Sequence, residues 1–320
     1  MIYRDCVNGD IPELIELSRL FETSPYSFDR HIKSISSFTY PAFAYDMLLA
    51  PASETVVAQE NDKLTGFITF SLNLSLSNVS GRKTANILLL AVDPGFRGRG
   101  IGKILVEKAL ERLSGSGVKT VTVGTDLYNY PAMQVYESSG FHFRMGWHIF
   151  RHYRTGEGVP GGVRINPDIV PPEGPEIESF LRNLSRPVSL LKEKKYNKTA
   201  LMDYLTDNAR RNIYKGKSKC FIYRAGSKPA GFINITTDDI CKRTLMSDKT
   251  VYKILDVIVL NEFKDMGIEK EMLLDAKSRL QDYCLIELWI DAENAGLIES
   301  AEDAGFHLSY TGAAFHYNSD

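Results

Sequence analysis

Arg97-Gly98-Arg99-Gly100-Ile101-Gly102-Lys103 is the stretch that decides how this 320-residue chain is interpreted. It follows an apolar run, residues 87–92, and it opens a segment whose apolar residues recur on one helical stripe: Ile101, Leu105, Ala109 and Leu113. A buried strand, a glycine-rich turn and a helix start together let backbone N–H groups hold a phosphate. The glycines allow the backbone to approach a ligand, and the three basic side chains add positive charge. The stretch therefore predicts a phosphate-binding loop.

Two common phosphate loops do not fit this stretch. A P-loop requires a glycine where Arg97 stands and a hydroxyl residue where Ile104 stands. A dinucleotide-binding fingerprint requires a third glycine where Lys103 stands. The pattern that remains is Arg-x-x-Gly-x-Gly after an apolar strand.

The chain also repeats itself. Leu64-Thr-Gly-Phe-Ile68 recurs in the second half as Pro229-Ala-Gly-Phe-Ile233. Residues 126–141 recur at the same offset as residues 291–306, and the run 87–92 recurs at a slightly larger offset as 254–259. Two anchors at one offset, with a small slip in the loops between them, predict two structural copies.

Each copy has the same predicted order of elements. In the first copy, a capping box at Asp10 and Glu13 predicts a helix through Phe21. A hairpin, a buried strand and a long helix follow, and after them come a strand at 118–123, a short helix at 131–138 and a closing strand pair at 141–153. The predicted fold class is α+β, with a mixed, mostly antiparallel sheet flanked by helices in each copy.

The loop resembles that of the GNAT superfamily of N-acetyltransferases, whose pyrophosphate loop reads Gln/Arg-x-x-Gly-x-Gly/Ala. A second segment is similar to the family's Asn-x-x-Ala-x-x-x-Tyr-x-x-x-Gly-Phe pattern, through Asn129, Ala132, Tyr136, Gly140 and Phe141. The resemblance implies two tandem GNAT-like acyl-CoA transferase domains.

The resemblance also implies a site for acetyl-CoA as co-substrate, and no metal. The implied cofactor-binding residues are Leu90, Ala91, Val92, Arg97, Gly98, Arg99, Gly100, Ile101, Gly102, Lys103, Asn129, Ala132 and Tyr136. The N–H of Val92 is expected to polarise the thioester oxygen, and Tyr136 is expected to give a proton to the departing thiolate. The general base stays open. The stretch 86–92 has no acid, and Asp126 is a candidate whose favoured role is a turn or helix cap.

The second copy departs from the pattern at its own loop, Lys264-Asp265-Met266-Gly267-Ile268-Glu269. Asp265 replaces Gly98 and Glu269 replaces Gly102, so two carboxylates stand where a diphosphate would bind. Ala301 stands in place of Tyr136. We expect a folded copy that neither binds acetyl-CoA nor catalyses.

The expected domains follow the repeat. Residues 1–155 are the predicted acetyl-CoA-binding catalytic domain, and residues 176–320 are the degenerate, non-catalytic one. Between them, residues 156–175 are crowded with glycine and proline, which predicts a linker and an irregular entry to the second domain.

Composition narrows the function classes. A formal charge of -2 and a pI of about 6.3 disfavour nucleic acid as a partner. The 4 cysteines are scattered, which predicts neither a disulfide framework nor a zinc site. Neither a signal peptide nor an apolar run of bilayer length is visible, so we expect a cytoplasmic protein without a membrane partner. A monomer, as a pseudo-dimer of two GNAT domains, and a homodimer both remain open.

Three functions remain from the sequence. The first is an N-acetyltransferase acting on a small-molecule or peptide amine through the N-terminal domain. The second is an acetyltransferase similar to mycothiol synthase, which shares the tandem plan. The third is an acyl-CoA-binding regulatory protein without turnover, which Tyr136 disfavours because a binder needs no proton donor. The resemblance places the acceptor pocket near the aromatic residues between Tyr26 and Tyr45, most of which we expect in the core.

Overall fold

The computed structural model describes residues 1–23, 40–50, 52–74, 77, 82–153, 167–168, 177, 180, 218–238, 250–280 and 283–319. The chain divides into two compact units. The first unit is formed by residues 1–146 together with 312–320, and the second by residues 147–311. Among the helices in the described ranges, none combines the length and the apolar character needed to cross a bilayer.

The first unit is a mixed sheet with helices on both faces. Its elements are β1 (Ile2–Asp5), α1 (Ile11–Ser18), α2 (Leu20–Thr23), α3 (Tyr40–Leu48), β2 (Ser53–Glu60), β3 (Lys63–Leu72), β4 (Thr84–Val92), α4 (Ile101–Gly115), β5 (Thr120–Asp126), α5 (Tyr130–Ser138) and the first part of β6 (His142–Tyr153). The strand order is β1-β2-β3-β4-β5, followed by residues 312–318 of the last strand, β12 (His307–Asn318). Only the β4–β5 pair is parallel among these pairings.

Helix α4 packs on one face of this sheet through the predicted stripe. Ile101, Leu105, Ala109 and Leu113 are all buried in one cluster with side chains of β2 to β5. The opposite face is covered by α1 and α3 in a separate cluster that contains Leu14, Leu17, Ala44 and Leu48. The helical period of the sequence thus reflects burial against the sheet, and the predicted hairpin, the buried strand and the helices at 101–113 and 131–138 are confirmed.

The second unit repeats this plan. Its elements are β7 (Pro167–Asp168), β8 (Ser218–Ala225), β9 (Lys228–Thr237), β10 (Thr250–Val259), α6 (Ile268–Arg279), β11 (Tyr283–Asp291) and α7 (Ala295–Asp303). Residues 147–153 of β6 pair with β11, and the order continues β11-β10-β9-β8-β7. Again only one of these pairs, β10–β11, is parallel. The predicted stripe Ile268, Met272, Ala276 and Leu280 is buried.

The closing strands are exchanged relative to the sequence repeat. The predicted strand pair at 141–153 was wrong, because residues 142–153 form the single strand β6. Residues 147–153 of β6 pair with β11. Phe150 and Arg151 of this segment are buried. Because the segment pairs with β11, the chain stays extended and does not turn back on itself. Residues 312–318 correspondingly pair with β5 of the first unit. The predicted domain boundaries at residues 155 and 176 therefore follow the sequence repeat. The compact units instead divide the chain at residues 146 and 312. The predicted linker, apart from residues 167–168, lies outside the described residues.

The predicted capping box at the first helix was also wrong. Asp10 makes no side-chain cap for α1. Its carboxylate instead accepts two hydrogen bonds from the Arg4 guanidinium, at 2.7 and 2.9 Å, and one from the Val7 N–H at 2.8 Å. Glu13 accepts a hydrogen bond from the N–H of Leu64 at 2.8 Å, which ties the helix to β3. Longer-range partners outcompeted the local cap, and the predicted helix is broken into α1 and α2.

Candidate active site

The glycine-rich loop begins with a capped turn at the end of β4. Asp93 Oδ1 accepts a hydrogen bond from the N–H of Gly95 at 2.8 Å, which caps the short 3-10 turn Pro94–Phe96. Asp93 Oδ2 lies 2.8 Å from Lys63 Nζ. The hydrogen bond from Lys63, and then that from the Gly95 amide, lower the pKa of Asp93. The start of the loop is thereby fixed to β3 by a charged group.

Two glycines then reverse the chain into the helix. Gly98 and Gly100 have φ angles of 77° and 76°, the left-handed region that side chains disfavour. A Cβ built on either residue meets nothing within 4 Å, so the space beside them is open. Gly100 is the N-cap of α4, and its carbonyl accepts the N–H of Ile104 at 3.1 Å. The N–H groups of residues 101–103 precede the first residue that can find an intrahelical acceptor.

Three basic residues, Arg97, Arg99 and Lys103, belong to this loop and helix start, and the side chain of each is exposed. Arg97 Nε donates to the carbonyl of Val92 at 3.0 Å, which holds the guanidinium against the end of β4. The Arg99 guanidinium lies 4.8 Å from the centre of the Phe96 ring and 3.4 Å from Glu60 Oε2. Lys103 Nζ is 3.9 Å from Glu107. Exposed pairs of this kind are weak, so these charges can turn to an incoming anion at small cost.

The sheet opens beside the loop. Strands β4 and β5 pair from Thr84–Thr120 to Ile87–Val123 and no further, although both strands continue and are described throughout. The N–H of Asp93 donates to the Thr65 carbonyl at 2.8 Å, so the backbone groups of Ala91 point toward β3 by the antiparallel alternation. Those of Leu90 and Val92 consequently point away from β3, to the side from which β5 has departed. We call this opening the β4–β5 split.

Tyr136 lies on α5 and is only 4% exposed. Its ring centroid is 5.8 Å from that of Phe141 and 6.1 Å from that of Phe315. Burial raises the pKa of the Tyr136 hydroxyl far above its usual value, so the group stays protonated at neutral pH. In this protonated form the hydroxyl can donate a hydrogen bond or a proton and cannot act as a base.

The other residues of the predicted site act in the turn before α5. Asn129 is the N-cap of α5, and its Oδ1 accepts the N–H of Ala132 at 3.3 Å. Asp126 Oδ1 accepts the N–H of Tyr128 at 2.7 Å, which confirms the favoured turn role. Burial raises the pKa of Asp126. The second unit has the same arrangement at Asp291 and Asn294, so capping accounts for this motif in both units.

The loop of the second unit has nearly the same backbone. Asp265 and Gly267 have φ angles of 64° and 72°, and α6 begins directly after Gly267. The parallel pairing of β10 with β11 also ends early, at Ile254–Leu288. The side chains differ, because Asp265 is exposed at the turn and Glu269 stands in the first turn of the helix. Ala301, in place of Tyr136, is fully buried.

Sequence reasoning missed Phe315, which contacts Tyr136 from the last strand of the chain. The repeat contained a signal for Phe315, since Phe150 and Phe315 are separated by its offset. The exchange of the closing strands, however, cannot be predicted from a local sequence pattern. In the part of the chain that the structure describes, no group of three or more His, Cys, Asp or Glu side chains is arranged to hold a metal ion.

Comparison with known proteins bears on this arrangement. Residues 13–141 match the profile of the family described as "Acetyltransferase (GNAT) family". The chain is 38% identical over 85 residues to an uncharacterised N-acetyltransferase of Methanocaldococcus jannaschii. This match covers 27% of this chain and 37% of that protein. It is 43% identical over 58 residues to a mycothiol acetyltransferase of Beutenbergia cavernae, covering 18% of this chain and 20% of that protein. Each of these matches thus covers less than half of the relative's own length.

A solved structure extends the likeness to the whole chain. It is a tandem GNAT protein from the clavulanic acid biosynthesis pathway, 17% identical, with a TM-score of 0.55. The match covers 100% of this chain and 99% of that one. Identity at this level speaks for the fold alone, and it confirms the predicted α+β fold with a mixed sheet and flanking helices.

Proposed function

We propose that the first unit is an acetyl-CoA-dependent N-acetyltransferase, because residues 13–141 match the profile of the GNAT acetyltransferase family. It moves an acetyl group to a primary amine of an unidentified small-molecule or peptide acceptor by direct attack. We further propose that the protein works in the cytoplasm, without membrane or nucleic-acid partners, as a monomer or a homodimer. The formal charge of -2 supports the absence of a nucleic-acid partner.

The observation that carries the proposal is the helix start at Gly100. Its two left-handed glycines have open space where a side chain would stand, and the unpaired amides of residues 101–103 face an anion with the positive end of the helix dipole. Arg97, Arg99 and Lys103 supply the charge that a diphosphate requires. These residues fit the pyrophosphate of coenzyme A.

The β4–β5 split supports a place for the rest of the coenzyme. When bound, acetyl-CoA supplies the acetyl thioester. The N–H and carbonyl of Leu90 and the N–H of Val92 point away from β3 and can hydrogen-bond an extended pantetheine arm as a neighbouring strand would. The Val92 carbonyl accepts from Arg97. The N–H of Val92 is our choice for the donor to the thioester oxygen, where negative charge develops during attack. One such donor contributes about 3 kcal/mol to catalysis.

Tyr136 is our choice for the general acid. The acceptor nitrogen forms the new bond to the acetyl carbon while the carbon–sulfur bond breaks, and the sulfur keeps the electron pair. Tyr136 gives its proton to that sulfur. The proton released by the nitrogen then passes through water to the Tyr136 oxygen and restores the hydroxyl. The hydroxyl is protonated at neutral pH before the step, as a tyrosine is at its ordinary pKa.

We propose that the second unit takes no part in this chemistry. Its loop keeps the backbone of the first, but Asp265 and Glu269 put negative charge beside the place of a diphosphate. Like charges at a helix start oppose anion binding. Ala301 offers no proton where Tyr136 does.

One alternative acceptor has a specific observation in its favour. The match to a mycothiol acetyltransferase, over 18% of this chain, favours an acetyltransferase similar to mycothiol synthase. The stretch in which we expected the family's acceptor pocket includes residues 24–39, which are outside the described residues.

The test combines binding and turnover on the full chain. Titration calorimetry with acetyl-CoA is expected to give one site per chain. Release of free thiol, measured with a panel of amines that includes amino sugars and peptides, is expected with at least one member, and mass spectrometry should find that member acetylated. Tight binding without turnover on any amine would favour the regulatory reading. Lack of binding would contradict the proposal.

A further inference from the structure

The last strand of the chain reaches into the first unit and contacts its proposed acid. Residues 312–318 pair with β5 in an unbroken register from Gly312–Asp126 to Asn318–Thr120. Thr120 Oγ1 also donates to Asn318 Oδ1 at 2.8 Å. The first unit therefore obtains one strand of its sheet from residues that follow the entire second unit in sequence.

Phe315 is the residue of this strand that lies against Tyr136. It is fully buried and is opposite Val123 of β5. Its ring lies 6.1 Å from the Tyr136 ring at 45°, and 5.8 Å from Phe143 in an edge-on contact. Phe141, the second aromatic neighbour of Tyr136, is itself packed on Tyr317 of the same strand at 5.6 Å. Both aromatic supports of Tyr136 thus depend on residues 315–317.

The orientation of a buried tyrosine ring depends on the side chains packed against it. The Tyr136 ring packs against Phe141 and Phe315, so the position of its hydroxyl oxygen rests in part on these two rings. A misplacement of about 1 Å at a reacting group can cost about a hundredfold in rate. Packing at Phe315 is therefore expected to matter for the chemical step more than for coenzyme binding.

We propose that Phe315 is a positioning residue for the reaction of the first unit, holding the Tyr136 ring so that its hydroxyl addresses the thioester sulfur. This inference rests on the proposed function. It gives strand β12 a part in the reaction of the first unit, through a residue that itself has no reactive group.

The second unit provides the matched control. Phe150 occupies the equivalent strand position in the earlier copy of the repeat, and it is opposite Leu288 of β11. It is equally buried, in the same cluster as Ala301, the residue in place of Tyr136. Phe150→Leu therefore removes the same side-chain volume from an equivalent position where there is no hydroxyl to aim.

The experiment is a double-mutant cycle on the full chain, with the amine that gives turnover. Phe315→Leu is expected to lower kcat about tenfold or more while the KM for acetyl-CoA stays within about twofold. In the Tyr136→Phe background it should lower kcat no further, because its effect passes through the hydroxyl. Phe150→Leu should leave kcat unchanged. If Phe315→Leu does not fold, Phe315→Met takes its place, because the unbranched methionine side chain adapts to irregular core space.

Two results would overturn the inference: equal loss of kcat from Phe315→Leu with and without the Tyr136 hydroxyl, or equal loss from Phe150→Leu. Absence of turnover in the wild-type chain would count against the proposed function instead. A second readout then tests the contact by itself. Nitration of Tyr136, mapped by peptide mass spectrometry, should be slow in the wild type and in Phe150→Leu, and faster in Phe315→Leu. Unchanged protection would refute the positioning role.

Discussion

The loops at residues 97–103 and 264–270 have nearly the same backbone and different side chains. Each follows a strand through a 3-10 turn, reverses at two left-handed residues and starts a helix whose stripe is buried. In the first loop the left-handed positions are Gly98 and Gly100, and in the second they are Asp265 and Gly267. Backbone conformation alone therefore does not distinguish a binding loop from a silent one. The charge placed on the shared conformation does, in our account.

The largest expected effect comes from moving a carboxylate of the second loop into the first. Gly102→Glu, which copies Glu269, should weaken acetyl-CoA binding by at least about a hundredfold, since a negative group then meets the diphosphate at the helix start. The fold should survive, because a Cβ at Gly102 makes only ordinary contacts at 3.7 Å with Val92 and Val135. Calorimetry measures the affinity.

Two controls sharpen this exchange. Gly102→Ala adds the same Cβ without charge and should retain most of the affinity. Glu269→Gly, the reverse change in the second loop, should leave the affinity of the first site unaltered. If Gly102→Glu bound acetyl-CoA as well as the wild type, the charge argument would fail.

The next effect concerns Tyr136, which the second unit lacks. Tyr136→Phe should lower kcat by about a hundredfold with acetyl-CoA affinity near normal, because only the proton donor is removed. Tyr223→Phe is the control, since the Tyr223 hydroxyl is buried in the second unit and donates to Asp275 at 2.8 Å. That variant should lower stability and leave kcat unchanged. Turnover by Tyr136→Phe at the wild-type rate would refute the acid assignment.

A smaller effect tests the backbone half of the comparison. Gly98→Ala should lower the free energy of unfolding by about 1–2 kcal/mol, because alanine is strained at a positive φ. Asp265→Ala should change it by less, since aspartate is itself only partly tolerant of that conformation and the strain is already present. Denaturant titration of both variants measures the difference. Equal losses of unfolding free energy at the two positions would contradict this explanation by backbone strain.

The smallest effect is a pH dependence confined to the first loop. Lys63 and the Gly95 amide hold the pKa of Asp93 below its unfolded value, so its contribution to stability is present above about pH 4 and is lost as the pH falls through the folded pKa. Leu260 occupies the matching place in the second unit and makes no side-chain cap. Asp93→Asn should therefore reduce the loss of stability on acidification from pH 5 to about pH 3. An acid sensitivity identical to that of the wild type would contradict this role.

Much of the fold could be predicted from local patterns. The spacing of Ile101 and Leu105 located a buried helix because one helical face must pack on a sheet, and the repeat located its second copy. The strand exchange could not be predicted. Phe150 and Phe315 occupy equivalent positions in the two copies of the repeat, so the sequence does not distinguish their strands. The strand with which each one pairs depends on contacts between segments that are far apart along the chain.

The candidate site was predictable in part for the same reason. The loop glycines could be recognised in the sequence because their left-handed backbone conformation favours glycine, as the φ angles of Gly98 and Gly100 show. The capping box at Asp10 failed because Arg4 offered a charged partner that a local pattern does not reveal. Asn129 stays a predicted cofactor-binding residue through the family pattern, and in the structure its Oδ1 caps α5, as that of Asn294 caps α7.

The most direct measurement is a crystal structure of the full chain grown with coenzyme A. Our account predicts one coenzyme per chain, with its diphosphate against the amides that start α4 and its pantetheine arm along Leu90 and Val92. A coenzyme bound at the loop 264–270, or at neither loop, would contradict it.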